Sequence, residues 1–209
     1  MRCLSVIILT FLTACSVPIL ETEEVTEKTT EGVKEVNHKI YDKPPTIQID
    51  SSKKYSAKIQ TSFGDITIDL FTETAPVTVN NFVSLSKDDY YDQVIFHRVI
   101  SGFMIQGGDP SGTGHGDHGK YPGYKFEDEL NMPQNYTKGI VAMANSGPNT
   151  NGSQFFIMHK ESPLPYQYTI FGMVVNGLDI VDKIGNSATD GTDKPLEDIV
   201  ILDIQIVEE

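Results

Sequence analysis

Phe96-His97-Arg98-Val99-Ile100, then Ser101-Gly102, then Phe103-Met104-Ile105-Gln106-Gly107-Gly108-Asp109 sets one fixed cation and one amide among aromatic and aliphatic side chains. No carboxylate falls between Ile95 and Gly108, and no serine or cysteine stands there as a nucleophile beside a base. A site of this kind can hold an apolar group and aim a hydrogen-bond donor at it, but it is poorly equipped to hydrolyse anything. The stretch belongs to a series of short apolar runs, Val94–Ile100, Met104–Ile105, Ile140–Ala144, Phe155–Met158 and Thr169–Val175, parted by turns rich in Gly, Pro and Asn. Ahead of it, Tyr55, Ala57 and Ile59 alternate with polar residues, Phe63-Gly64-Asp65 turns the chain, and Ile66, Ile68 and Leu70 alternate again, which is a β-hairpin pattern. Thr74-Ala75-Pro76 opens a helix with proline at an early position, and Val79, Phe82, Val83 and Ser86 share one helical face. A second helix runs from Leu178 to Ile184 and stops at Gly185. Leu202, Ile204 and Ile206 close the sequence as a strand. Many short strands with two separated helices predict a mainly β chain, a closed barrel or a sandwich. Pairing the two terminal strands would remove exposed sheet edges.

The chain of 209 residues suits one domain with extensions, and its 39% hydrophobic content is enough for a core. A formal charge of −13 argues against a nucleic-acid-binding surface, because phosphate contacts need clustered Lys and Arg. At the N-terminus, Arg2 precedes an apolar run from Leu4 to Leu12 that is too short to span a bilayer but suits a secretory signal. It leads into Leu12-Thr13-Ala14-Cys15, which resembles the lipobox of bacterial lipoproteins. That likeness implies a signal peptide over residues 1–14, lipidation of Cys15, and export to the cell envelope, on the periplasmic side or the outer surface. Cys3 is the one other cysteine, so the folded part has neither disulfide nor thiol chemistry. Residues 15–52, with six Glu between Glu21 and Glu35, read as an acidic disordered tether stiffened by Pro44-Pro45. The folded domain is then residues 53–209. Nothing in the sequence indicates oligomerisation, so a monomer is the expectation.

The two opening motifs resemble those of the cyclophilins. So do Phe126-Glu127-Asp128-Glu129, the run Met143-Ala144-Asn145-Ser146-Gly147-Pro148-Asn149-Thr150-Asn151-Gly152-Ser153-Gln154-Phe155-Phe156-Ile157, and Phe171-Gly172-Met173-Val174, all in colinear order from about Tyr55 to Glu209. The resemblance implies a closed eight-stranded antiparallel β-barrel capped by two α-helices. It also implies peptidyl-prolyl cis-trans isomerisation of Pro-containing polypeptides, with no cofactor. Carried over residue by residue, Arg98 is the catalytic residue, and Phe103, Met104, Phe156 and Leu164 line a proline pocket. Gln106 binds the substrate backbone and helps to hold Arg98. Asn145 pairs with the peptide through its backbone, flanked by Ala144 and Gln154, and Thr113 stands on one side of the groove. His97 alternates to the other side of the strand from Arg98 and is assigned a structural hydrogen bond.

The chemistry of the residues agrees with that resemblance. Amide resonance sets a rotation barrier of about 18–20 kcal/mol, and uncatalysed X-Pro exchange takes roughly tens to hundreds of seconds. In the twisted state the nitrogen lone pair is localised, and a donor aimed at it stabilises that state. A guanidinium is planar and permanently charged, and so can act as this donor. Accelerating the step by about 10⁵ requires about 7 kcal/mol of preferential transition-state binding, with no bond broken. A second class of function, a non-catalytic Pro-peptide-binding module, would be expected to have lost part of the set Arg98, Phe103, Gln106 and Phe156, all of which are present.

The sequence departs from the family pattern at two places. Pro163 stands before the pocket leucine where many relatives have tryptophan, and Tyr168 stands at the substrate-binding pocket wall where many have histidine, keeping that wall aromatic. Loss of the indole donor predicts weak inhibition by cyclosporin. His115-Gly116-Asp117-His118 reads as a polar surface loop, with metal binding as the alternative that a zinc titration decides. Asn135-Tyr136-Thr137 and Asn151-Gly152-Ser153 fit the glycosylation pattern by coincidence.

Overall fold

In the computed structural model, which describes residues 38–131, 133 and 135–209, the alternating hairpin becomes β1 (Tyr55–Thr61) and β2 (Gly64–Leu70). Tyr55, Ala57, Ile59, Ile66 and Ile68 turn inward and are buried, while Ser56, Lys58, Gln60, Asp65 and Thr67 face out. Six more strands follow: β3 (Arg98–Ile100), β4 (Met104–Gly107), β5 (Ile140–Met143), β6 (Phe155–Met158), β7 (Ile170–Asn176) and β8 (Ile201–Glu208). They form one antiparallel sheet in the order β3-β4-β6-β5-β7-β2-β1-β8. The terminal strands β1 and β8 pair as expected, but this does not remove the sheet edges, because β8 is itself one of them.

The word "closed" overstates the barrel. Its edges, β3 and β8, share no ladder. They are stitched by an irregular seam in which Gln93 N–H donates to the Ile201 carbonyl (2.8 Å), Phe96 N–H to that of Ile199 (2.9 Å) and Ile201 N–H to that of Val94 (2.8 Å). The sheet is a curled eight-stranded half-barrel.

Helix α1 (Pro76–Lys87) begins with its proline in the first turn and buries Val79, Phe82, Val83, Leu85 and Ser86. The ring of Phe82 meets those of Tyr91, Phe155 and Phe171 at centroid distances of 5.3, 5.5 and 5.3 Å, the centre of the main core. Ala75, in the capping position, has no side-chain acceptor; the carboxylate of Glu129 takes that role, accepting from the backbone N–H of Val77 (3.0 Å) and Thr78 (2.8 Å) and from the Thr78 hydroxyl (2.8 Å). An anion at a helix N-terminus satisfies open donors and complements the macrodipole. Residues 116–119 make a single turn, α2 (Gly116–Gly119), and α3 (Leu178–Gly185) buries Val181 and Ile184.

The boundary of the tether needs correction. Residues 38–52, grouped with it by average composition, lie against the barrel. Ile49 joins the main core and Tyr41 packs on it. The Asn80 side chain on α1 binds backbone groups of Pro45, Thr46, Gln48 and Ile49. The acidic stretch ends at Glu35, whereas the residues after it carry the aromatic and aliphatic anchors, a change that an average over the whole segment conceals. Cys15 and the remaining expected tether lie outside the described residues.

A candidate substrate cleft on the outer face of the sheet

Facing residues of an antiparallel ladder share one side of the sheet. Arg98 on β3 faces Gln106 on β4, Gln106 faces Phe156 on β6, and Phe156 faces Ala142 on β5. This row of cation, amide, aromatic ring and methyl crosses four strands on the outer side. The neighbouring row is Ile100, Met104 and Met158. On the inner side the same strands send Val99, Ile105, Val141, Phe155 and Ile157 into the main core. Strands β5 and β6 are therefore buried on both faces along their whole length.

The outer rows build a second apolar cluster, distinct from the core. Met104, Tyr136, Ile140, Ala142, Phe156, Met158 and Ile170 are its buried part, and Phe71, Ile100, Phe103, Ala144, Leu164 and Tyr168 are packed on it with part of their surface open to solvent. Phe103, Met104, Phe156, Leu164, Tyr168 and Ala144, each singled out from sequence, thus meet in one place. Phe156, Tyr168 and Tyr136 form a ring triad with centroids 5.6 Å (Phe156–Tyr168), 6.2 Å (Tyr136–Tyr168) and 6.4 Å (Tyr136–Phe156) apart. Tyr136 was not foreseen. Its hydroxyl donates to the Tyr168 carbonyl at 2.9 Å and accepts from the Tyr168 N–H at 3.2 Å, fixing the wall. Burial pushes its phenol up to about 12, so it stays a donor at neutral pH.

Arg98 itself is exposed, with 45% of its side chain accessible. Its Nε lies 3.4 Å from Asp193 Oδ2, and the Asp193 carbonyl accepts from Val99 N–H at 2.8 Å, which ties the two segments together. Gln106 was expected to help hold Arg98; instead its side-chain Nε2 donates to Gln154 Oε1 (3.0 Å), and among the described residues no hydrogen bond joins the Gln106 and Arg98 side chains. The physical reason is the register: Gln106 lies between Arg98 and Phe156 in the row, within reach of Gln154, while Asp193 approaches Arg98 from the open side of β3. No spacing in the sequence signals Asp193, because it arrives from a loop 95 residues downstream.

Gln154 extends this amide chain, its Nε2 donating to the Gly114 carbonyl at 3.1 Å. The loop it reaches is folded by Asp109, which is 1% exposed and accepts from Ser111 N–H (2.9 Å) and Gly116 N–H (3.0 Å). Thr113 stands on the exposed part of this loop with its hydroxyl 2.9 Å from that of Ser111. The loop, Gln106, Gln154 and residues 144–146 enclose a mainly polar hollow of ≈ 210 Å³ beside the apolar cluster. The Asn145 side chain donates to the Gln167 carbonyl (2.9 Å) and accepts from Gly147 N–H (3.3 Å), which leaves that side chain occupied with its own loop. Gly108 is required: its φ is +85°, and a Cβ there would sit 2.5 Å from the Ser153 carbonyl oxygen. A larger hollow of ≈ 530 Å³ at the ends of β1 and β2, lined by Lys54, Asp69, Phe71, Glu73 and Glu209 among others, contains no member of the Arg98 row.

His97 is buried as its alternation predicts, with the Ile95 backbone as a hydrogen-bonding group near its ring. Neither ring nitrogen makes a hydrogen bond of good geometry among the described residues, and burial, outweighing the Asp109 charge and the nearby Ile95 backbone, lowers its pKa. The ring is neutral packing, covered by the backbone of Gly114. Among the described residues there is no group of three metal-ligating side chains, and the side chains of Asp117 and His118 lie outside the description.

The comparisons with known proteins agree with this geometry. Residues 56–206 match the family model described as cyclophilin type peptidyl-prolyl cis-trans isomerase/CLD. The chain is 45% identical over 152 residues to "Peptidyl-prolyl cis-trans isomerase CYP18-2" of Arabidopsis thaliana, covering 72% of this chain and 92% of that protein. It is 51% identical over 149 residues to "Peptidyl-prolyl cis-trans isomerase ppi1" of Schizosaccharomyces pombe, covering 70% and 96%. Among solved structures it resembles a cyclophilin type peptidyl-prolyl cis-trans isomerase of Cryptosporidium parvum, with TM-score 0.68 and 40% identity over 75% of this chain and 99% of that one. The same protein crystallised in the presence of the dipeptide Ala-Pro matches equally, over 74% and 99%. With the half-barrel, the cross-strand row and this similarity along nearly the whole of its relatives, the chain belongs to the cyclophilin-type peptidyl-prolyl cis-trans isomerases.

Proposed function

We propose that the protein accelerates rotation about X-Pro bonds in exported polypeptides, working from a lipid anchor at Cys15. The observation that carries the catalytic part is the row Arg98–Gln106–Phe156–Ala142, which sets a permanent cation at the rim of an apolar cluster with an amide between them. A prolyl ring seated on Phe103, Met104, Phe156 and Leu164 leaves its nitrogen near the rim. The guanidinium then donates to that nitrogen as the bond twists, an interaction absent from either planar isomer and hence specific to the transition state. Asp193 bonds Nε, and no bond to the terminal nitrogens of Arg98 occurs among the described residues, so these are the donors assigned to substrate. Gln106, Gln154 and the backbone near Asn145 hold the extended peptide, with no cofactor in the step. Pro163 is exposed and carries no donor, in keeping with weak cyclosporin inhibition.

A protease-coupled assay on an X-Pro peptide tests the activity. Wild type should accelerate exchange, and Arg98→Ala should lose about 10²–10³ in kcat/KM with an unchanged circular dichroism spectrum, the loss typical of removing one transition-state donor. Binding without turnover in the wild type would make the chain a capture module instead. The export part rests on the residues around Cys15 and is tested separately: mass spectrometry of the native N-terminus should find an acylated Cys15, and Cys15→Ser should release the protein from membranes.

A further inference from the structure

The family match begins at residue 56, yet the described chain is bound to the barrel from residue 38 on. His38 Nδ1 lies 3.0 Å from the Tyr90 carbonyl, the Lys39 ammonium pairs with Asp88, and the Tyr41 hydroxyl donates to Asp88 Oδ2 at 2.6 Å. Asn80, 1% exposed on α1, works as a hook: its Nδ2 donates to the carbonyls of Pro45 (3.3 Å) and Thr46 (3.1 Å), and its Oδ1 accepts from the N–H of Gln48 (2.7 Å) and Ile49 (3.4 Å). Four backbone groups held by one buried amide specify a path, since each would otherwise cost desolvation.

The far end of this strap grips the loop that walls the polar hollow. Tyr41 N–H donates to the Pro122 carbonyl at 2.8 Å, and the Tyr41 ring meets that of Tyr124 at 6.2 Å. Gly123 has φ +104°, and a Cβ on it would stand 2.3 Å from the Tyr41 carbonyl oxygen and 2.8 Å from Ile40, so the strap comes as close as glycine permits. Tyr121, Pro122 and Tyr124 are at the same time lining residues of the ≈ 210 Å³ hollow, together with Gln106 and Gln154. One short stretch is thus held by the strap and shapes the substrate flank.

We infer that residues 38–50 are a positioning element for substrate recognition: by fixing Tyr121–Tyr124 they set the affinity for peptides that extend from the X-Pro unit into the polar hollow. The inference rests on the reading of the cleft as the substrate site. The strap touches neither Arg98 nor the apolar cluster in any described contact, so the rotation step itself does not depend on it.

Exchange NMR on the full chain with two substrates tests this, one a blocked Ala-Pro dipeptide and one extended by two residues on each side. Tyr41→Ala should raise KM for the long peptide about fivefold, with kcat unchanged and the blocked dipeptide unaffected, because a displaced wall weakens positioning and leaves the donor in place. Gly123→Ala should give the same split by pushing the strap away, and Tyr41→Phe, which keeps the ring, should stay close to wild type. Equal losses on both peptides, or a lower melting temperature with neither KM altered, would reduce the strap to a stabilising layer. Failure of the wild type to turn over the blocked dipeptide would overturn the isomerase reading instead, so the two ideas fail separately.

Discussion

The two halves of the sheet treat their outer faces differently. In β1 and β2 buried residues alternate with partly or fully exposed ones, and Ser56, Lys58, Gln60, Asp65, Thr67 and Asp69 meet solvent. In β5 and β6 every residue is buried, because the outward positions carry Ala142, Phe156 and Met158 beneath a second apolar layer. A solvated face needs only polar side chains and hydrogen-bonded backbone. A face that keeps a large apolar cluster partly open has a use for it. The difference singles out the outer face of β3–β6 as the candidate cleft without reference to any relative.

The sharpest way to break this comparison is to truncate neighbouring rings on opposite faces. Phe155→Ala opens the main core beside Phe82 and Tyr91 and should cost about 3–5 kcal/mol in denaturant unfolding, enough to threaten a domain of ordinary stability. Phe156→Ala should fold, raise KM for X-Pro peptides at least about tenfold and cost less stability, since its cluster already borders solvent. On the other half, Lys58→Ala should stay within about 0.5 kcal/mol and keep full activity. If Phe156→Ala unfolds the chain as Phe155→Ala does, the outer cluster is ordinary core and the contrast fails.

A smaller effect is expected at Asp193. Both partners of the Arg98 pair are nearly half exposed, and exposed pairs contribute about 0.2–1 kcal/mol. Asp193→Ala should therefore lower kcat/KM only about twofold to fivefold, mostly in kcat, with Asp193→Asn in between. A loss as large as that of Arg98→Ala would mean that Asp193 acts on substrate directly.

The smallest predicted effect is on pH dependence. Burial lowers the pKa of His97, and of His38 in the strap. Groups whose folded value lies below the unfolded one bind more protons when unfolded, so their stabilising contribution is whole above the unfolded imidazole value, about 6.5, and fades as pH falls through it towards the depressed folded values. Melting temperature should hold steady from pH 8 to about 7 and decline below about 6. His97→Phe should flatten part of that decline.

Much of this was legible in the sequence. Periodicity gave both capping helices, the edge argument gave the pairing of the terminal strands, and the family resemblance pointed to Phe103, Met104, Phe156, Leu164 and Tyr168, which the fold brings into one cluster. What depended on distant segments was not legible. Asp193 reaches Arg98 from a loop after α3, Tyr136 sits in what looked like a chance glycosylation pattern, and the partner of Gln106 is set by the pairing of β4 with β6. The strap was hidden for another reason: its anchors are sparse, and Asn80, which holds it, looks in sequence like one more polar residue on a helix.

The seam between β3 and β8 has a consequence for how the molecule moves. Arg98 rides on a three-residue edge strand with a ladder on one side only, while the greasy floor opposite lies deep in the sheet between paired neighbours. Regions with few backbone bonds open first and at least expense. The guanidinium is therefore mounted on the compliant lip of the vessel and the apolar cluster on its rigid wall; on the proposed function, the lip can follow a bond through its half-turn while the seat stays still.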